Sequence, residues 1–308
     1  MDFVAKLAER YDLGTPLVLT KMTHNSGSDV FIVNDTSVVK IFPEETDPLM
    51  PAKEIALCTA LHDRMPTPKV IGYSDSEHTI PRPYIVLEKM SGKALEFTWD
   101  TLSEPQRSEI CEWLGLFLAT IHATANDVIL RALKNVHASI DSDTLGIHAR
   151  ARRALDTIET QKLLTSDRIL AIRHYFERHA TAEQGTVLGL CHGSYRFGNI
   201  LADEATITGV LDWEDATFGD TLEELALTLY RTIPERFHSI FLAGYTERKS
   251  LTSYPDQNLY ASLFYLEHLP NISAWTLFPG KQAYYKRETE RILETIIGTD
   301  TFLGRQRV

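Results

Sequence analysis

Leu190-Cys191-His192-Gly193-Ser194-Tyr195-Arg196-Phe197-Gly198-Asn199-Ile200-Leu201, followed by Gly209-Val210-Leu211-Asp212-Trp213-Glu214, is the most chemically dense stretch of this chain. Short apolar runs from Thr186 to Trp213 are separated by turn formers, as in a loop leading into a hairpin. Asn199 and Asp212 each stand beside strand-like apolar residues, thirteen positions apart, and a turn at Asp203-Glu204 would bring them together. An amide oxygen and a carboxylate are hard donors of the kind Mg²⁺ takes, one or two protein groups being completed by phosphate oxygens. A turn residue at 199 and a helix cap at 212 explain the same pair equally well.

Outward from this stretch the two halves differ in character. Val30-Phe31-Ile32-Val33 and Ser37-Val38-Val39-Lys40-Ile41-Phe42 read as strands joined by the turn Asn34-Asp35. A helix is expected from about Asp47 to Leu61, with Pro48 and Pro51 in its first turn and Ile55, Cys58 and Leu61 on one face. Val70–Tyr73 and Tyr84–Leu87 read as further strands. Beyond Ser91-Gly92 the pattern turns helical. Ser103-x-x-Gln106 is a capping box with Pro105 in the first turn, and its helix carries an apolar face of Ile110, Trp113, Leu114, Phe117 and Ile121. Helical periodicity also covers roughly 144–161, 166–180, 221–232, 257–268 and 283–297.

Composition narrows the classes. With 308 residues, 44% hydrophobic and 24% charged, the chain is globular, and disorder, collagen and coiled coil are excluded. A net charge of −11 argues against a nucleic-acid partner, which requires a basic face, and suits cationic small ligands. No apolar run approaches the length of a membrane span, and Met1-Asp2-Phe3-Val4-Ala5-Lys6 lacks the basic-then-apolar order of a signal peptide. Cys58, Cys111 and Cys191 are scattered among apolar neighbours and read as reduced core residues of a cytoplasmic protein.

The order of the pieces resembles the aminoglycoside phosphotransferase and choline kinase family. That family reads His-Gly-Asp, four residues, Asn, then about a dozen residues to Ile/Leu-Asp-Phe/Trp-Glu, and often continues into Gly-Asp-Pro-x-x-Asp-Leu-Ala; here the tail is Gly219-Asp220-Thr221-Leu222-Glu223-Glu224-Leu225-Ala226. The resemblance covers roughly residues 20 to 230. It implies an α+β, bilobal protein-kinase-like fold, with a small β-rich N-lobe carrying one main helix over residues 1–90 and a larger helical C-lobe over 91–308. It implies ATP or GTP as cofactor, with Asn199 and Asp212 as ligands of Mg²⁺. His192 would brace the loop, Arg196 would neutralise γ-phosphate charge, and Asp220 would cap a helix. Lys40 and Glu54, fourteen residues apart, take the places of the phosphate-binding lysine and the glutamate that orients it. Ser26, Gly27 and Ser28 occupy the place of the phosphate-covering loop. Backbone groups around Glu88 to Met90 would bond adenine.

One departure from the family stands out: Ser194 takes the position of the catalytic aspartate. A serine hydroxyl near neutral pH accepts no proton without an activating partner. Three explanations are open: one disabling change in an otherwise competent kinase, a kinase-fold protein that binds nucleotide or ligand without efficient transfer, or an active enzyme recruiting Asp215, Glu214 or an amine of its substrate. The resemblance further implies a monomer acting on a polyhydroxylated, cationic small molecule, most like an aminoglycoside. Its acceptor wall would come from Asp215, Glu223, Glu224, Glu267 and His268, with Tyr265 and Trp275 as stacking surfaces. A protein-kinase role is disfavoured, because no Ala-Pro-Glu-like segment follows Asp212.

Overall fold

The computed structural model describes residues 2–15, 17–22, 28–74, 82–124, 126–135, 146–179, 187–251, 254–274 and 279–304. In chain order the elements are α1 (Asp2–Arg10), β1 (Leu19–Met22), β2 (Asp29–Val33), β3 (Ser37–Ile41), α2 (Leu49–Leu61), β4 (Val70–Tyr73), β5 (Tyr84–Glu88), β6 (Lys93–Ala94), α3 (Leu95–Thr98), α4 (Glu104–His122), α5 (Asn126–Asn135), α6 (Ile147–Thr160) and α7 (Ser166–His179). They continue with β7 (Leu188–Cys191), β8 (Ile200–Asp203), β9 (Thr206–Val210), β10 (Thr217–Asp220), α8 (Thr221–Arg231), α9 (His238–Thr246), α10 (Gln257–His268) and α11 (Pro279–Gly304). These form two compact units. One contains residues 1–142, 189–218 and 232–251, the other 143–188, 219–231 and 252–308.

The first unit is organised on a five-stranded antiparallel sheet in the order β1-β2-β3-β5-β4. The turn between β2 and β3 places both Asn34 and Asp35 at positive φ, 51° and 58°, which Asn and Asp tolerate best among residues with a Cβ. Because strand side chains alternate faces, Val39 and Ile41 of β3 with Tyr84 and Val86 of β5 pack on Val4, Leu7 and Ala8 of α1. Phe42, Ile85 and Leu87 turn the other way and meet Ile55 of α2. Lys40 shares that second face, so the alternation alone aims it toward α2. Three-stranded sheet β6-β8-β9 and the pair β10-β7 complete the strands.

The Ser103 capping box is formed, Gln106 Oε1 accepting the Ser103 N–H at 2.9 Å. The helix it starts buries Ile110, Cys111, Leu114, Gly115, Leu118 and Ile121. Trp113, expected on the buried face, is 43% exposed. The face is turned because α4 packs on α9 through two glycines. A Cβ on Gly115 would lie 1.9 Å from the Phe241 carbonyl oxygen, and one on Gly244 would lie 2.1 Å from that of Glu112. The two backbones thus cross at a distance no side chain permits. All three cysteines are buried and none is in a disulfide.

The second unit is built on α6, α7, α8, α10 and α11. Its core joins Ala151, Leu155 and Ile158 of α6 to Ile172 and Phe176 of α7, Leu263, Tyr265 and Leu266 of α10, and Ile292 and Leu293 of α11. Asp220 caps α8, its Oδ1 accepting the Leu222 N–H at 3.0 Å. No helix among the described residues is long and apolar enough to cross a membrane.

Candidate active site

The site lies within the first unit and begins at Lys40. Its Nζ donates to Glu54 Oε2 at 2.9 Å, to Asp212 Oδ1 at 2.7 Å and to Glu214 Oε2 at 2.7 Å. Strand β3 supplies the lysine and α2 the Glu54 carboxylate. The segment after β9 supplies the other two acids. Asp212 adopts φ 67°, ψ 62°, a left-handed conformation that Asp accepts at low cost, and it starts a short 3₁₀ turn over Trp213–Asp215. That reversal puts Asp212 and Glu214, two residues apart, on the same ammonium. Trp213 between them is fully buried and donates Nε1–H to the Val210 carbonyl at 3.1 Å, which anchors the turn.

Electrostatics follow from three carboxylates around one cation. Burial opposes the charge on Lys40, but Glu54, Asp212 and Glu214 outweigh it and hold its pKa well above the usual lysine value. Burial pushes the Glu54 carboxyl up to about 7 against the pull of Lys40. Asp212 goes the other way: burial raises it, yet Lys40 and, less strongly, Arg196 leave it below the usual carboxylate range. Burial raises Glu214. The cluster keeps an excess of negative charge, and the oxygens of Glu54, Asp212 and Glu214 lie within 4.8 Å of one another.

The loop after β7 is built on buried hydrogen bonds. The Ser194 N–H donates to His192 Nδ1 at 3.3 Å, and His192 Nε2 lies 2.9 Å from the Leu211 carbonyl. These partners assign Nδ1 as acceptor and Nε2 as the protonated nitrogen. The ring is fully buried, between Tyr195 and Trp213 at centroid distances of 6.0 and 4.5 Å. His192 therefore ties the loop to the Asp212 segment. Gly193 is required there, because it sits at φ 79° and a Cβ would meet the Asp215 carbonyl oxygen at 2.3 Å. Asn199 is buried. Its Nδ2 donates to the Ser194 carbonyl at 2.9 Å and to Ser194 Oγ at 3.2 Å, so Oδ1 is the amide atom that could hold a cation. Among the described residues no side chain accepts the Ser194 hydroxyl proton. Arg196 and Asp215 are exposed.

Glu88 ends β5 and Met90 follows it. The Glu88 N–H donates to the Lys69 carbonyl and the Lys89 N–H to that of Thr36, so neither bond uses the Glu88 carbonyl or the Met90 N–H. Ser28 is half-buried just before β2, while Ser26 and Gly27 lie outside the described residues, as does Trp275. Glu267 and His268 belong to the second unit and are engaged there. Arg150 clamps Glu267 at 2.6 and 2.9 Å and Glu223 at 2.5 and 3.0 Å. His268 stacks on Phe264 at 4.2 Å, with Nδ1 2.7 Å from the Phe264 carbonyl. Two contacts go beyond the sequence expectations, Glu214 with Lys40 and Arg150 with its two glutamates. A signal for the first existed in the Asp-Trp-Glu triplet. For Arg150 there was none, because 73 and 117 residues separate it from its partners.

A mixed sheet-and-helix chain with a strand lysine paired to a helix glutamate, and a loop holding Asn199 beside an Asp212 turn, has the protein-kinase-like α+β fold. The sequence profile of the Phosphotransferase enzyme family matches residues 19–259, and the chain belongs to that family. No curated relative matches it. Among solved structures it is similar to wild-type aminoglycoside 2'-phosphotransferase-IIIa in its GDP complex, with a TM-score of 0.72, 16% identity and coverage of 97% of this chain and 98% of that one. The streptomycin–ATP–APH(2")-IIa ternary complex gives a TM-score of 0.64 at 17% identity, covering 96% and 97%. The macrolide 2'-phosphotransferase MphH from Brachybacterium faecium gives 0.65 at 18%, covering 94% and 97%.

Proposed function

We propose that this chain binds ATP or GTP with Mg²⁺ and is built to pass the γ-phosphoryl group to a hydroxyl of a small, polyhydroxylated, cationic acceptor of the aminoglycoside type. The observation that carries this reading is the Lys40–Glu54–Asp212 contact, which gathers the phosphate-binding cation, its orienting acid and a metal ligand at one point. Asn199 Oδ1 and the Asp212 carboxylate are hard oxygen donors beside an excess of negative charge, and they suit a divalent cation, which when bound neutralises charge on the phosphates. Lys40 contacts phosphate, Glu54 holds Lys40 in place, and the Glu88 carbonyl and Met90 N–H bond the base. Ser26, Gly27 and Ser28 take the sequence position of the phosphate-covering loop. Arg196 faces the γ-phosphate. His192 orients the loop from its buried position. Asp215 contributes to holding the acceptor. Nucleotides and an aminoglycoside in the similar solved structures support the choice of donor and acceptor.

Ser194 impairs this machinery. Its Oγ accepts a hydrogen bond from Asn199 and carries no charge, so it neither takes a proton from an attacking hydroxyl nor orients it as a carboxylate would. The same contact favours a second reading, a nucleotide- or ligand-binding protein without efficient transfer. Nucleotide consumption against a panel of aminoglycosides and other cationic antibiotics separates them, with the unaltered chain beside Ser194→Asp. Turnover gained only by the variant, by about 10²–10⁴-fold, supports the impaired kinase, because that is the range general-base catalysis supplies. Comparable turnover by both would mean another group replaces the aspartate. A folded, nucleotide-bound variant that transfers to nothing leaves the binding protein.

A further inference from the structure

An ammonium has three N–H donors, and Lys40 spends all three on protein carboxylates, Glu54, Asp212 and Glu214, at 2.7–2.9 Å. No donor remains for a phosphate oxygen. Nucleotide entry at Lys40 therefore requires one of the three acids to leave, and their settings differ. Glu54 is almost wholly enclosed, at 3% side-chain exposure against 14% for Glu214 and 24% for Asp212, so the choice between the last two falls to how each is held. Asp212 is held by its left-handed turn and by the hydrogen bonds of the residues around it: Leu211 donates its N–H to the Asn199 carbonyl at 2.8 Å and accepts from His192. Glu214 is longer, sits in a single 3₁₀ turn beside exposed Asp215, and Lys40 is the partner of its carboxylate.

We propose that Glu214 is a built-in occupant of the phosphate position on Lys40, a carboxylate that stands in for the nucleotide and must swing away before phosphate can bind. Glu214 acts through Lys40 and is a positioning residue. This inference rests on the nucleotide reading above. The acid holds Lys40 in place, where an ammonium facing only Glu54 and Asp212 would keep one donor unused, and it sets an opposing charge against phosphate.

Binding of ATP to the full chain tests this by titration calorimetry, with and without Mg²⁺, for the unaltered protein, Glu214→Gln and Glu214→Ala. The expected result is tighter binding of metal-free ATP by the variants, by about 10- to 100-fold, the value of one hydrogen bond between charged groups. A residue of merely structural importance would weaken binding when replaced. Unchanged or weaker ATP binding by both variants, with the unaltered chain still binding, overturns the inference and leaves the nucleotide reading intact. If none of the three binds ATP, the titration is repeated with GTP and read in the same way, and binding of neither nucleotide by any of the three overturns both. A structure of the unaltered chain with a bound nucleotide is the second measurement. Glu214 withdrawn from Lys40 Nζ, with a phosphate oxygen in its place, is the expected state, and a persisting 2.7 Å contact beside bound phosphate would refute it.

Discussion

Ser194 and Asn199 show how little a single position reveals without its neighbours. In sequence, the serine is one atom set short of the family pattern. In the structure its hydroxyl is an acceptor for Asn199 Nδ2, so the same amide whose Oδ1 is proposed to hold a cation also occupies Ser194. His268 carries a prediction of its own. Burial lowers its pKa from the ordinary 6.5, and the charges of Arg231 and Lys281 lower it further, while the Phe264 carbonyl and Glu267 pull the other way. A depressed histidine leaves the folded chain holding fewer protons than the unfolded one as pH falls through 6.5, so stability must drop on acidification in that window. Above it, the neutral ring is common to both states and has no effect. Melting temperature measured from pH 8 down to pH 5 should fall less steeply in His268→Gln than in the unaltered chain, and parallel curves would refute the assignment.

Elements with a complete local signature are legible in sequence. The Asn34-Asp35 turn, α2 with its prolines and the Ser103 capping box each needed only their own residues. Helix α9 was not legible, because His238–Thr246 is short, has no side-chain cap and contains Gly244, a residue that disfavours helix on its own. Helix α1 is masked by its β-rich neighbours although Val4, Leu7 and Ala8 are spaced for one face. The rotation of α4 that leaves Trp113 outside was invisible for a related reason: the buried stripe is chosen by what α9 can approach, and the partner lies more than a hundred residues away. Gly115→Ala tests that contact. The methyl would collide with backbone, which has no rotamer to yield, and a cost of about 1–3 kcal/mol is expected from overpacking. Urea denaturation reads it directly, and an unchanged midpoint would mean that α4 and α9 do not touch as described.

Across the whole molecule, the parts of the candidate site were legible but their closeness was not. Lys40 reaches Asp212 across 172 residues and Glu214 across 174, and no periodicity carries contacts of that span. Only the ordered succession of four family-like segments pointed to their meeting. Charge behaves likewise: a net −11 counts acids without showing that Glu223 and Glu267 are already matched by Arg150 or that three others crowd one lysine. The three buried cysteines have a practical side. Cys58 lies on α2, Cys111 on α4 and Cys191 on β7, all inside the first unit, and the second unit contains none. Burial holds the Cys58 thiol well above its ordinary value and pushes Cys111 up to about 12, so neither offers a thiolate to a reagent while folded. The native chain should be silent to a thiol-reactive dye and release three equivalents once unfolded. The chain thus comes with its own clock for the opening of its first unit, read as colour, and a dye uptake that precedes loss of helical signal would reveal that this unit opens first.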